Sequence, residues 1–522
     1  MAAQQAARNT AVTVLGGGIS GLSTAYYLAQ RLPSTAMVTL IEGSQHVGGW
    51  VRSERRQIGS GVSALAEKGP RTLRTGESRE ALAVLELVDD LDLRDSVVTA
   101  SRESAAAQNR YIYYNRHLNR MPTGIGSLVT GVPAAVRCLA GGVWQDLFTR
   151  KNTPEATDES IHEFISRRFG RAVDDNLASA VMHGIYAADT KDLSARALLY
   201  PFWLADQTGK HGVIRGLRRV AKLSRARHAR FAQRDAEERV EIAKRRVQNR
   251  GFWDMMGDAS MYSFEGGLQT LTDRLLADLT QRPNVEILRG TPAQRVRLTA
   301  DNAMAEVGLA DGRVVRSHHV VNALPLPQLK TLFSGASPAL VDETPYASVS
   351  VANVTYAKRS IAPIDGFGYL VPRASSHDSA ALGVVLDSCA LPQQDGNEEI
   401  SRLTVMLGGA TRDSAQLEQD ALETLRKHLG ISETPADIDI TVARECIPTY
   451  TVGYVDRLRA MHEWVAGVMQ GRMSVVGAAY GGPAVPHCVL HARDLVQSLN
   501  LNALTAQPLG VTGLEEIMRS FE

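Results

Sequence analysis

Four cysteines in 522 residues leave no basis for a disulfide scaffold. Cys138, Cys389, Cys446 and Cys488 are scattered, with no C-x-x-C pair and no metal-ligand spacing. That is the distribution of reduced thiols in an intracellular protein. No run of about 18 uninterrupted apolar residues occurs, so no membrane span is expected. Met1 to Thr10 hold neither a secretory apolar region nor a long Arg/Ser presequence. Neither charge sign dominates: 57 Lys and Arg against 56 Asp and Glu give a formal net charge of +1, which argues against a polyanionic partner such as nucleic acid. Internal repeats and low-complexity tracts are missing too. What remains is a composition ordinary for a soluble globular protein, 44% hydrophobic and 22% charged, in a chain long enough for more than one domain.

Against that background one stretch organises the chain. Val12 to Leu15 is a short apolar run that reads as a buried strand, Gly16, Gly18 and Gly21 follow at G-x-G-x-x-G spacing, and Leu22 to Gln30 carries helix formers. Gly16 allows a tight turn, Gly18 lets a pyrophosphate approach the backbone, and Gly21 lets the helix pack close to the strand. The helix N-terminus offers free N–H groups and a positive dipole end. Met37 to Ile41 is a second strand, with Glu42 at its end, where a carboxylate accepts hydrogen bonds from a ribose diol. NAD and FAD both use this unit. Gly48-Gly49-Trp50 a few residues on resembles the large FAD-binding oxidase group that includes amine oxidases and phytoene desaturases, and makes FAD the expected cofactor.

Further along, Gly69-Pro70-Arg71-Thr72 reads as a turn, able to bring backbone to an isoalloxazine. Arg79 to Leu93 is predicted helical, with Leu82, Leu85, Val88 and Leu91 as a core stripe. Arg110 heads the strand-like Tyr111-Ile112-Tyr113, where its planar fork suits a carboxylate. From Gly124 to about Ala195 the pattern is helical. Ile125 to Phe148 is apolar but broken by Pro133, Arg137 and glycines, too interrupted to span a bilayer yet suited to an interface. Ser160 to Glu163 is a capping box, and His183 to Asp189 a glycine-containing break. Residues 210–250 hold fourteen Lys or Arg against four Asp or Glu, with Arg215, Arg218, Arg219, Lys222 and Arg225 at helical spacing. Such a run is a solvated helix, a mobile insertion, or a contact for an anionic membrane surface. Ala347 to Tyr356, Gly366 to Pro372, Leu382 to Leu386 and Arg402 to Met406 read as an antiparallel sheet with one apolar face, a wall for a flat ligand. The last motif, Met473 to Val485, is strand, glycine turn and helix start. It has Gly477-Ala478 where many relatives carry Gly-Asp, so the cofactor is held there by backbone.

VLGGGISGLSTAYYL, GGWVRS, KGPRTLR, QNRYIYYNRHLNRMPTG, HGIYAADTKDLSAR, GFGYLVP, CIPTYTVGY and GAAYGGPAVPHCV together resemble the eukaryotic, oxygen-dependent protoporphyrinogen oxidases, from about Ala11 to Leu499. The basic stretch near 210–250 departs from that pattern. The resemblance implies an α/β fold. A discontinuous Rossmann-like FAD-binding domain takes 10–105, 262–325 and 465–502. An α+β substrate-binding domain on an antiparallel sheet takes 106–123 and 326–464. An α-helical membrane-associating domain takes 124–261.

It also implies one non-covalent FAD per chain and no metal. Protoporphyrinogen IX loses six electrons in three two-electron steps, hydride leaves a meso carbon for flavin N5, no residue serves as general base, and oxygen reoxidises the flavin to give peroxide. By the same resemblance Arg110 pairs with a propionate, Gly184 lets the tetrapyrrole lie close to backbone, and Leu370 and Leu391 line the pocket, a role that plain core leucines fit equally. FAD contacts fall to Gly16, Gly17, Gly18, Ile19, Ser20, Gly21, Glu42, Gly43, Gly49, Trp50, Gly69, Pro70, Arg71, Thr72, Ala293, Ala478, Pro483, Ala484 and Val485. The implied location is peripheral, on the mitochondrial inner membrane. A homodimer and a contact with the neighbouring haem-pathway enzyme stay open as partners. Two rivals on the same fold also stay open, an amine or carotenoid oxidase and a non-catalytic escort protein.

Overall fold

The computed structural model describes residues 8–59, 61–122, 134–148, 157–208, 212–228, 232–335, 337–376, 378–396 and 399–521. The stretch 123–133, which holds the start of the interrupted apolar segment, lies outside them.

Short β-branched runs far apart in sequence assemble the first sheet. Its strands are β1 (Arg8–Leu15), β2 (Val38–Ile41), β10 (Val285–Leu288), β11 (Ala293–Leu298), β12 (Ala305–Leu309), β13 (Val314–Asn322) and β19 (Met473–Val475). The order is β10-β2-β1-β13-β12-β11, with β19 on β13. β10, β2, β1, β13 and β19 pair in parallel, and the β11–β12–β13 edge is antiparallel. Every residue of β2 is buried, as a parallel strand covered on both faces must be. Helix α1 (Ile19–Arg31) and helix α5 (Val485–Ser498) share one apolar cluster with this sheet, in which Val12, Leu22, Leu40 and Val489 are fully buried. The chain therefore returns to the dinucleotide domain twice. The Asp311-Gly312 turn closes the β12–β13 hairpin, with Gly312 at φ +86°.

The second sheet has the order β18-β14-β17-β16-β15-β7-β8. Its strands are β7 (Arg110–Tyr114), β8 (His117–Arg120), β14 (Tyr346–Tyr356), β15 (Gly368–Leu370), β16 (Ala381–Val385), β17 (Ser401–Gly408) and β18 (Asp437–Pro448). The four stretches read as an antiparallel sheet, now β14, β15, β16 and β17, pair antiparallel throughout, and one joint outside them is parallel. β7 and β15 run parallel, Arg110 opposite Gly368 and Ile112 opposite Leu370. A parallel pair needs a long crossover, and here the crossover is the whole helical region plus the return through the first sheet. β3 (Ser53–Ile58) and β4 (Val62–Glu67) form a hairpin, and β5 (Leu73–Arg74), β9 (Ala259–Phe264) and β6 (Val97–Ser101) a small third sheet.

The helical region divides in two. Ser160 and Glu163 make the full reciprocal capping box on the helix Ile161–Phe169. Helix α2 (Ser179–Tyr186) follows a π-helical turn, Asp174–Ala178. Gly184 sits inside α2, so the expected break moves to Ala187, the left-handed C-cap at φ +51°. The basic stretch is two helices, α3 (Val213–His228) and α4 (Ala232–Gln248). α4 is docked rather than free: Ile242 is buried in the cluster that holds Val12 and Leu22, Arg245 pairs with Asp90 at 2.5 Å, and Arg246 with Glu77 at 2.7 Å. Phe252, Trp253 and Met256 join the same cluster, whereas Leu193, Ala195, Ala205 and Val213 share a separate cluster with Ile161 and Phe164. All four cysteines are free, and among the described residues no helix is long and apolar enough to cross a membrane.

Candidate flavin and substrate site

The two large sheets meet over a cavity of about 890 Å³, in the range of sites that enclose a whole organic ligand. One end is the glycine turn. Gly16 takes φ +98°, and a Cβ on Gly21 would lie 1.8 Å from the Gly16 carbonyl oxygen, so α1 presses directly on the turn. At Gly18 a Cβ would meet nothing nearer than Gly49 Cα at 3.9 Å. The turn thus leaves free room where a ligand would approach. Gly18 caps α1 without any side-chain hydrogen bond, which leaves the first-turn N–H groups for an anion. Gly48 runs as a β-bridge beside Gly18, and its N–H donates to the Gly17 carbonyl at 2.8 Å.

Glu42 stands at the end of β2. One carboxylate oxygen accepts from Gly17 N–H at 2.7 Å and the other from Ser44 N–H at 2.8 Å. Each oxygen keeps a lone pair, which is what a vicinal diol requires. At the far side Gly477 (φ +129°) and Ala478 line the cavity, and Ala484 caps α5 without a side-chain bond, giving a second helix N-terminus. These features fit FAD: a pyrophosphate cradle at α1, a diol acceptor at Glu42 and backbone donors at the closing turn.

Of the expected cofactor residues, Gly16, Gly18, Ile19, Ser20, Glu42, Gly43, Gly49, Trp50, Gly69, Pro70, Thr72, Ala293, Ala478, Pro483, Ala484 and Val485 line the cavity. Gly17, Gly21 and Arg71 do not. Gly17 anchors Glu42, and Gly21 sets the helix approach. Arg71 is buried on Asp387 at 3.1 Å, with Nε and Nη2 left without a partner. Gly184 lines the substrate end; Leu370 lies outside the lining and packs on Gly184, where a Cβ would fall 2.5 Å from Leu370 Cδ2. Leu391 is corrected to a core position, 2% exposed among Ala100, Ala106, Met261 and Ala390. A leucine at a helix end is buried wherever apolar neighbours converge, and here they converge away from the cavity. Arg110 lies exposed at the head of β7 and outside the cavity lining. Its neighbour Arg74 is held below the ordinary guanidinium value, first by desolvation and then by the like charge of Arg110.

Three supports were not foreseen. His491 Nε2 donates to Gly513 O at 2.8 Å, so Nδ1 is free to accept the Gly477 N–H at 3.4 Å. Burial holds this ring below its ordinary value, hence neutral. Tyr450 and Tyr454 stack at 4.2 Å, and their hydroxyls hold the carbonyls of Ala478, Ala479 and Tyr480. The Cys446-Ile-Pro-Thr-Tyr450 stretch contained this signal, but nothing in it shows which turn a tyrosine will reach.

Beside Lys68, the buried Glu67 accepts from Ser53 Oγ at 2.6 Å and from Leu268 N–H at 2.8 Å. Desolvation nevertheless pushes its carboxyl up to about 7. The folded state therefore keeps a proton that the unfolded chain releases near pH 4.5, so stability is lost as pH rises from there through about 7. Glu67→Gln removes the titration and keeps an acceptor for Leu268. The melting temperature of the variant relative to the parent should climb between about pH 5 and pH 8.5, equivalent to on the order of 1–3 kcal/mol. A difference that stays flat over this range would show that Glu67 is ionised throughout.

A dinucleotide crevice at the carboxyl ends of parallel strands, opening into an apolar slot against a second sheet, defines an FAD-dependent oxidoreductase. Residues 19–497 match the family of flavin containing amine oxidoreductases, and the chain belongs to that family, in its protoporphyrinogen oxidase branch, with FAD as its cofactor. It is 33% identical to the protoporphyrinogen oxidase of Schizosaccharomyces pombe over 94% of this chain and 98% of that one. It is likewise 33% identical to the protoporphyrinogen oxidase of Bos taurus over 92% and 97%. Among solved structures the fold matches one from Exiguobacterium sp. 255-15 (TM-score 0.71, 20% identity, 94% of this chain and 99% of that one). It also matches reduced UDP-galactopyranose mutase (TM-score 0.65, 14% identity, 98% and 99%).

Proposed function

We propose that this protein oxidises protoporphyrinogen IX to protoporphyrin IX, with oxygen as final acceptor and peroxide as product, at the surface of the mitochondrial inner membrane. The observation that carries the reading is the apolar slot at the substrate end of the cavity. One wall is the apolar β face of Val349, Val351 and Met406, and the other is α2, where Gly184 brings backbone to the surface. A flat macrocycle suits such walls. The full-length likeness to protoporphyrinogen oxidases supports the same substrate.

FAD, held non-covalently, supplies the two-electron acceptor. The chain's own residues position the substrate and keep water out. Among the described lining residues only Lys68 and His183 can carry positive charge. Lys68 is committed to Asp439 at 2.5 Å and Glu54 at 3.2 Å. Burial, above all, holds His183 below its ordinary value. Neither offers a free positive charge to a substrate carboxylate. Outside the lining, Arg110 and Arg74 are exposed and have no carboxylate partner among the described residues, and they are the cations we assign to the propionates.

Exposed apolar side chains on the helical region support peripheral membrane contact. Ile185, which lines the cavity, is 54% exposed, and Trp144 and Phe148 on the helix Ala134–Phe148 are 68% and 66% exposed. The helical unit in that reading is the first part of 124–261, up to α3.

The deciding experiment mixes purified protein with protoporphyrinogen and follows porphyrin fluorescence and peroxide together. Both should appear, and both should stop without oxygen. Acid should release all the flavin from the chain, and carbonate should release the protein from membranes. Turnover of amines without porphyrin formation would replace this reading with the amine oxidase rival, and a colourless protein would replace it with the escort.

A further inference from the structure

One guanidinium brackets the substrate-side helix from both ends. Arg373 follows β15 directly, after Val371 and Pro372. Its Nη2 reaches Asp174 at 2.5 Å and Asp175 at 2.6 Å, both just before α2. Its Nη1 reaches Asp189 at 2.5 Å and Thr190 Oγ1 at 2.8 Å, both just after α2. Its backbone N–H donates to Ser179 Oγ, at the first residue of α2, at 3.1 Å. Asp174 is fully buried and also meets His162 Nδ1 at 2.6 Å. His162, Asp174 and Asp175 are close enough to share a metal ion, and Arg373 fills the place of that cation. The carboxylates Asp174, Asp175 and Asp189 surround one guanidinium, so the arrangement holds only while Arg373 is present.

What lies between the two ends of this clamp is the cavity wall. His183, Gly184 and Ile185 of α2 line the slot. The His183 ring bonds the Val371 carbonyl, two residues before Arg373. Gly184 packs against Leu370, three residues before it, with no space for a methyl group. The π-helical turn at Asp174–Ala178, a geometry that recurs beside functional sites, is the turn Arg373 ties down.

We infer that Arg373 is a positioning residue for the substrate: it sets the distance between α2 and β15, and so the width of the slot that receives the macrocycle. This rests on the substrate reading above. The fork of the guanidinium is essential to it, because its two Nη atoms serve opposite ends of the helix. A lysine supplies the charge but reaches only one end.

The test uses the full-length, FAD-loaded protein with Arg373→Lys and Arg373→Gln. In Arg373→Lys the flavin content should stay near that of the parent, and the melting temperature should fall less than in Arg373→Gln. KM for protoporphyrinogen should nevertheless rise about ten- to hundredfold, with kcat much less changed. Arg373→Gln should show the same KM change with a lower melting temperature. Amide hydrogen exchange over residues 179–187, measured without substrate, should speed up in both variants. That measurement holds even if the parent fails to oxidise protoporphyrinogen, which would overturn the substrate reading alone. Unaltered exchange over 179–187 in Arg373→Lys would overturn the clamp. So would a KM that follows the melting temperature in both variants, which marks a purely structural ion pair. If Arg373→Gln does not fold, the Lys variant decides by the same two measurements.

Discussion

Gly21→Ala is expected to abolish flavin binding and to destabilise the protein without its cofactor. The added methyl would sit 1.8 Å from the Gly16 carbonyl oxygen and 3.0 Å from its carbon. Backbone cannot yield as a side chain tip can, so α1 must retreat by more than an ångström. That carries the first-turn N–H groups away from the pyrophosphate they would hold and opens the contact that buries Leu22 and Ala25. Overpacking of this kind costs about 1–3 kcal/mol in the fold itself. Gly18→Ala makes the informative comparison. Its methyl would be 3.9 Å from the nearest atom of the protein, so the fold should be untouched and the loss confined to the ligand, roughly a hundredfold in FAD affinity. Melting of the apoprotein and titration with FAD separate the two: Gly21→Ala should fail both measurements, and Gly18→Ala only the second. An apoprotein of Gly21→Ala with parental stability would mean the helix is not held by this contact.

That difference between two glycines three residues apart explains how much of the site was readable in advance. Strand, turn, helix and Glu42 are local: each follows from spacing within thirty-odd residues, and the tight turn read for Gly16 and the close helix approach read for Gly21 match the atoms each one meets. The parallel joint of β7 with β15 brings residue 110 to residue 368, and no periodicity within either strand encodes that pairing. Arg373 was unreadable for a related reason. Its partners lie near residues 174 and 189 on a different element, and none of these residue types is unusual where it stands. Leu391 shows the converse failure, since its burial is real but the apolar residues it joins belong to another layer. The charge count of the basic stretch could not show which of its side chains find a complement. Arg245 and Arg246 meet Asp90 and Glu77, more than 150 residues earlier in the chain, so α4 is anchored there, while Arg215, Arg218 and Arg219 of α3 stay exposed.

Arg110→Ala should raise KM for protoporphyrinogen about thirtyfold or more while flavin content and melting temperature hold. The argument joins three placements. The cavity commits its two lining cations elsewhere, Lys68 to Asp439 and His183 to a neutral state. Arg110 is exposed in the free protein, so removing it strands no buried partner and costs the fold nothing. Arg74 feels its like charge, and two guanidiniums in repulsion are both stabilised by an anion placed between them. A charge pair that becomes desolvated only on binding contributes about 2 kcal/mol or more, which gives the factor of about thirty. Arg110→Lys should recover part of the loss, since an ammonium is a point charge without the bidentate fork. Arg74→Ala should weaken binding as well, and the double variant should lose less than the product of the two single losses, because both act on one carboxylate. Esterified propionates supply the control. An ester offers the guanidinium no charge, so parent and Arg110→Ala should bind the esterified tetrapyrrole nearly alike. If the loss is equally large on acid and ester, Arg110 does not read the propionate, and the carboxylate must be held elsewhere.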